Sequence, residues 1–261
     1  IPLYRGLGWE IISNKMTYVI KDRQIPTKLK EPGYVRRVQW DDEQFKKLHT
    51  HFAAKTHGCL YRNNLAWEEY FRWDEDDTMV AIYYNEDDEP CGYMVYLISS
   101  DVMAQLGLWE YIHAHDSMID EVRGNNYYSE PIAFELDDSD IKETIRPYAM
   151  GRIIDVAQFI SQYNCDPDGP SGCFSFEIAD DLLPWNNGTF VIDFEKGHCA
   201  LTDKNPQYHL SMSIGTFTTL LLGYKSAEKL LQMGKIQTTY DAVAKLDDIL
   251  YHEIPYVSDY I

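Results

Sequence analysis

The residues of this 261-residue chain that could do chemistry fall into a few separate sets. Three residues separate Tyr4 from Gly8-Trp9. A phenol, with a reference pKa of about 10, keeps its proton at neutral pH and can donate it to a departing thiolate, whose thiol has a reference pKa of roughly 8–9. The histidines His49, His51 and His57, and the pair His113 and His115 beside Asp116, have the residue types of a metal site. On a helix, however, residues two apart diverge by about 200°, so such pairs do not share a face and no metal is expected. Asp74-Glu75-Asp76-Asp77 reads as a solvated loop. Arg152 and Asp155 suit a structural ion pair or a helix cap. No Ser-His-Asp or Cys-His order stands out, and nothing in the sequence around Cys59 or Cys173 marks either as a nucleophile.

The composition bounds what these groups could act on. A formal charge of −19 argues against nucleic acid, whose phosphates need clustered Lys and Arg. The same charge suits a cationic substrate such as an amine, or simply confers solubility. No apolar run approaches the roughly 20 residues that span a bilayer, so no membrane partner is expected. Cys59, Cys91, Cys165, Cys173 and Cys199 are odd in number and form no CxxC, which suits a reduced, cytoplasmic setting. The length allows two domains, each with its own core.

The elements that must position these residues follow from pattern. Tyr4 to Trp9 reads as a helix end closing on a left-handed glycine. Trp9–Ile12, a Ser13-Asn14 turn and Lys15–Ile20 read as a closing β-hairpin. After a linker, a strand near 34–38 precedes a helix beginning at Glu43, capped by Asp41 or Asp42. A second helix covers Asn64 to Phe71. Residues 79–84 and 92–98 make a hairpin around the acidic turn 85–90, Leu106 to His113 is helical, and Asp140 to Arg146 is a short helical stretch. Beyond Pro147 come an amphipathic helix over 153–160, strands at 173–178, 189–194, 198–201 and 208–213, and helices near 216–222, 227–233 and 239–250. A strand meander closed by helices suits an α+β domain.

Three stretches occur together in one order: Tyr4 to Trp9; His115-Asp116-Ser117-Met118 before Glu121-Val122; and Ile145-Arg146-Pro147-Tyr148-Ala149-Met150-Gly151-Arg152-Ile153-Ile154-Asp155-Val156. The chain also stops at the short aromatic-acidic tail Ser258-Asp259-Tyr260-Ile261. Together these resemble the enhanced intracellular survival (Eis-like) N-acetyltransferases of the GNAT superfamily. The resemblance implies a terminal hairpin of a truncated catalytic GNAT domain over residues 1–22. It implies a second, degenerate GNAT-like α/β domain over 23–147 and a sterol-carrier-protein-like α+β domain over 148–261.

It further implies acetyl transfer from acetyl-CoA, as co-substrate, to a primary amine: a lysine, a polyamine or an aminoglycoside. Tyr4 would be the general acid, and the carboxylate of Ile261, through the chain terminus and not its side chain, the base. A homo-oligomer, a hexamer in the family, is implied as well. Two departures stand out. The family's R/Q-x-x-G-x-G/A acetyl-CoA loop is absent, because Arg5 to Glu10 has glycine at the fourth place but Glu10 at the sixth. Without that loop these residues should bind no acetyl-CoA alone and should be inactive. The family also has more residues near Met103–Ala104. The alternative is a lipid- or small-ligand-binding module built on the last domain.

Overall fold

The computed structural model describes residues 2–25, 32–72, 80–95, 97–99, 108–109, 111–113, 121–126 and 131–259. The first half of the chain contains α1 (Pro2–Gly6), β1 (Glu10–Ile11), β2 (Asn14–Lys21), β3 (Tyr34–Val38), α2 (Glu43–Ala53), α3 (Asn64–Phe71), β4 (Val80–Tyr84), β5 (Pro90–Met94), β6 (Leu97–Ser99) and β7 (Glu121–Asn126). The second half continues with β8 (Lys142–Pro147), β9 (Met150–Gly151), α4 (Val156–Ile160), β10 (Gly172–Ala179), β11 (Gly188–Glu195), β12 (His198–Leu201), β13 (Tyr208–Ser213), α5 (Ile214–Leu221), α6 (Ala227–Gln232), β14 (Ile236–Gln237) and α7 (Tyr240–Asp247). Residues 108–109 and 111–113 are helical, inside the span expected for a helix. The HDSM motif at 115–118, Met103–Ala104 and the acidic run at 74–77 lie outside the described residues.

The chain divides into two units. One contains the residues up to Ser13 together with Pro147–Pro255; the other contains Asn14–Arg146 together with the residues from Tyr256 on. The expected hairpin over residues 9–20 does not form. β1 pairs antiparallel with β9 (Glu10 opposite Gly151), whereas β2 is the centre of a three-stranded sheet ordered β7-β2-β8. The reason lies in Ser13. Its carbonyl accepts from Tyr148 N (3.0 Å) and its hydroxyl from Ala149 N (3.1 Å), so the backbone stays extended and buried in place of the expected tight turn.

In the unit from Asn14 on, β3-β4-β5-β6 form a four-stranded antiparallel sheet. The strand expected at 92–98 is broken: β5 ends at Met94, and β6 folds back beside it with Tyr93 opposite Ile98. Residues 140–146 also differ from expectation, because β8 is a strand on the edge of β2. Thr144 and Ile145 are β-branched and favour that pleat over a helix once a strand edge is available. Asp42 caps α2, accepting from Gln44 N (2.8 Å) and Phe45 N (3.2 Å), and Asn63 caps α3 through Ala66 N. The buried faces of these helices interlock as rings: Phe45 meets Trp67 and Tyr93, each at 4.7 Å, and Trp67 stacks on Phe71.

In the other unit a five-stranded sheet runs β12-β11-β10-β13-β14. It is not a simple meander, because β13 lies parallel to β10 with Phe176 opposite Leu210. A parallel neighbour needs a crossover, and the extended chain after β12 supplies it. β11 and β12 join through Lys196 and Gly197, both at positive φ, as the tight two-residue turn predicts. Phe174, Phe176, Ile178, Ile192 and Phe194 point to one face, which α5 and α7 cover with Phe217, Leu220, Val243 and Leu246.

The junction at 152–156 is held by a buried ion pair. Arg152 Nη2 donates to both Asp180 oxygens (2.8 and 2.7 Å), both side chains being almost fully buried, and Arg152 Nη1 donates to the Leu7 carbonyl. Asp155 is the cap of α4, accepting from Gln158 N (2.9 Å). Arg152 and Asp155 are therefore structural, but the partner of Arg152 is Asp180. Buried Asn186 completes the knot, donating to the Ile154 carbonyl and Asp180 Oδ2 and accepting from Val156 N. Burial pushes the Asp180 carboxyl up, and the donors from Arg152, Asn186, Leu183 and Leu182 outweigh it and hold it below its ordinary value. Removing one partner of such a pair strands the other as a buried charge. Asp180→Asn is expected to cost about 3–5 kcal/mol in urea unfolding, and a loss below about 1 kcal/mol would contradict this reading.

Candidate functional site

Tyr4 sits in the last turn of α1. Its carbonyl accepts from Leu7 N (2.9 Å) and Trp9 N (3.1 Å), and the Arg5 carbonyl accepts from Gly8 N (3.0 Å). Gly8 has φ +81°, the left-handed closure that the sequence indicates. A side chain there would also run into the Arg152 guanidinium. The Tyr4 ring packs edge-on against Trp9 (6.2 Å) and is 52% exposed, so it is fixed on one side and open to solvent on the other.

Arg5 to Glu10 lies at a helix C-terminus, where carbonyls, not amides, face outward. Glu10 Oε1 is occupied by Arg5 Nε and Nη2 (2.9 and 2.7 Å) and by Ile11 N. A pyrophosphate needs free N–H groups at a helix N-terminus. This stretch offers the opposite end. The starts of α2 and α3 are capped by Asp42 and Asn63, so they do not fit the diphosphate either.

The second place of interest is the C-terminal tail. Tyr256, Val257 and Ser258 are buried. Tyr256 N donates to the His57 carbonyl (2.8 Å), and the Tyr256 ring stands edge-on to Phe52 at 5.3 Å. Arg62 holds the next two polar side chains: Nε donates to Asp259 Oδ1 (2.7 Å) and Nη2 to Ser258 Oγ (3.2 Å). The guanidinium lies over the rings of Tyr70 (4.0 Å) and Trp67 (4.6 Å), with the side chain 1% exposed. The tail is thus docked as far as Asp259. Ile261, the expected base, lies outside the described residues. Tyr4 and the tail belong to different units.

The sequence does not single out Arg62. The available signal is a lone arginine followed by Trp67 and Tyr70 at five and eight residues, with an acidic residue in the tail.

Among the described residues, burial suppresses the charged forms of His49 and of four cysteines. His49 is wholly buried in α2, edge-on to Trp67 (4.8 Å). Nε2 faces the Leu60 carbonyl (3.0 Å), which can only accept, so that nitrogen carries the proton and Nδ1 accepts from Tyr93 Oη (2.9 Å). Burial, reinforced by the Arg62 charge, lowers its pKa to about 4. None of the five cysteines forms a disulfide. Burial raises Cys59 to about 11 and Cys199 to about 12, and it pushes Cys165 and Cys173 upward as well. Burial thus favours the protonated thiol at all four, which speaks against Cys59 or Cys173 as a nucleophile. Among the described residues no group of three or more His, Cys, Asp or Glu could hold a metal, and no helix is long and apolar enough to cross a membrane.

Residues 58–153 match the acetyltransferase (GNAT) domain family, and residues 156–258 match the sterol carrier protein domain family. The chain thus joins a GNAT acetyltransferase domain to a sterol-carrier-like domain, and these findings support an acyltransferase. A protein of unknown function from Enterococcus faecalis V583, described as a probable N-acyltransferase, is similar over 100% of this chain and 70% of its own. It shares 26% identity with a TM-score of 0.88. A GCN5-related N-acetyltransferase from Anabaena variabilis shares 22% over 97% of this chain and 69% of its own, with a TM-score of 0.85. Eis1 from Mycobacterium abscessus shares 17% over 99% and 71%, with a TM-score of 0.76, and these last two establish likeness of fold alone. No match was found among curated proteins.

The neutral His49 makes stability pH-dependent in a defined window. Its folded pKa lies below the unfolded value near 6.5, so the unfolded chain binds the extra proton first as pH falls. Stability present above pH 6.5 should drop by about 2 kcal/mol between pH 7 and 5, with no further loss from this group below about pH 4. Urea unfolding across that range checks it against His49→Gln, which should lack this component. Parallel curves for the two proteins would show that His49 does not supply it.

Proposed function

We propose that the full protein is a cytoplasmic, homo-oligomeric Eis-like N-acetyltransferase that moves the acetyl group of acetyl-CoA to a primary amine. The acceptor class is a lysine side chain, a polyamine or an aminoglycoside. The observation that carries this reading is the docked tail: Tyr256–Ser258 are buried and Asp259 is paired to Arg62, so the chain is held as far as Asp259. Residues 1–22 are read as the end of the catalytic GNAT domain. The loop for the acetyl-CoA diphosphate is not among these residues, so these residues alone should be inactive.

In this reading the terminal carboxylate of Ile261 is the base. The neutral amine nitrogen attacks the thioester carbon, the tetrahedral oxyanion collapses, and the C–S bond breaks. The proton shed by the attacking nitrogen goes to the carboxylate, and the leaving thiolate takes the phenolic proton of Tyr4, which water later restores. A free α-carboxylate, with a reference pKa of about 3.5, is a weak base, so a desolvated setting or a relayed water must assist it. The formal charge of −19 favours approach of a cationic acceptor.

A second reading, a lipid- or small-ligand-binding module, is favoured by the sterol carrier protein match over 156–258. Its rings interlock tightly, with Phe176 on Phe217 at 5.3 Å and Phe174 on Phe194 at 5.8 Å. A fatty acid or sterol found by native mass spectrometry of the purified protein would support this second reading.

For the enzyme, Tyr4→Phe in the full-length protein should lower kcat by roughly 10²–10⁴ while leaving KM for acetyl-CoA nearly unchanged. One glycine added after Ile261 should have a comparable effect, because it moves the carboxylate by about 3.5 Å. Full activity of Tyr4→Phe would remove the acid assignment, and full activity of the extended protein would remove the base.

A further inference from the structure

We propose that Arg62 is a positioning residue for the chain terminus: its buried guanidinium clamps Ser258 and Asp259 and so fixes where the final carboxylate can lie. This rests on the reading of that carboxylate as the base. The clamp is built and not incidental. The Arg62 side chain is 1% exposed, its guanidinium lies over the rings of Trp67 and Tyr70, and it donates to two different side chains of the tail, Asp259 and Ser258. A buried cation demands an anion, and Asp259, itself largely covered, meets that demand.

The lever is short. Ile261 is two positions beyond Asp259, and two extended residues span about 7 Å, so clamping Asp259 limits how far the carboxylate can reach. Without the clamp, the residues beyond Val257 could wander and the base would be held at a much lower effective concentration. Arginine suits the role better than lysine, because its planar fork can lie against aromatic faces while donating from separate nitrogens.

The test uses the full-length protein with Arg62→Met, which keeps an apolar stem against the rings. Asp259→Leu approaches the clamp from the tail side, in case loss of Arg62 impairs folding. Asp259→Asn retains an acceptor oxygen. Carboxypeptidase release of the C-terminal residues reports tail holding directly, and kcat with KM for acetyl-CoA reports positioning. Release should quicken at least 10-fold in Arg62→Met and Asp259→Leu. In both, kcat should fall at least 10-fold, while KM for acetyl-CoA stays within 2-fold. Asp259→Asn should recover part of each effect.

Wild-type release rates in both disrupting variants would overturn the clamp. Rapid release with unchanged kcat, in a protein that the added C-terminal glycine inactivates, would overturn the positioning role. If the glycine-extended protein is fully active, the base assignment falls instead, and the release rates still decide whether Arg62 holds the tail.

Discussion

A buried guanidinium cannot stand without an anion, and Arg62 is buried. That constraint organises the functional part of the unit from Asn14 on. It draws Asp259 and Ser258 inward, against a wall made by α3, and it seats Tyr256 beside Phe52 of α2. The same charge adds to burial in keeping His49 neutral, which lets that imidazole bridge Tyr93 and the Leu60 carbonyl as a core residue. A tail that would otherwise fray thus becomes part of a domain that it does not directly follow in sequence.

The other unit depends on a comparable device. Arg152 and Asp180 pair out of solvent, and Asn186 ties the pair to the start of α4. Arg152 also reaches the Leu7 carbonyl, so the turn after Tyr4 is fixed from the junction side. The left-handed Gly8 makes this possible, since any side chain there would occupy the space that the guanidinium fills. The placement of Tyr4 is therefore set by residues nearly 150 positions away in sequence.

Much of this is legible in the sequence, and the exceptions have physical reasons. A cap at Asp41 or Asp42, helices from Glu43 and over 64–71, and the alternating strands at 173–178 and 189–194 are local patterns that tertiary structure has no cause to override. Pairing is harder to read. The partner of β2 depends on Ser13 being captured by residues 148–149, and the strand at 142–147 depends on β2 having an edge to offer. The parallel register of β10 and β13 is likewise invisible in alternation, which gives faces and not neighbours. At the candidate site the motif around Tyr4 is visible as a helix end. Arg62 is not, because one arginine among aromatics looks the same in sequence whether it is buried or exposed.

We propose that the carboxylate beyond the clamped Asp259 takes the proton in acetyl transfer. The most direct measurement is the single-turnover rate of amine acetylation by the full-length protein lacking Tyr260 and Ile261, with Arg62 and Asp259 intact. The account predicts a rate at least 100-fold below that of the complete chain with acetyl-CoA binding preserved, because the new terminus would lie about 7 Å short. Acetylation at the undiminished rate would contradict it.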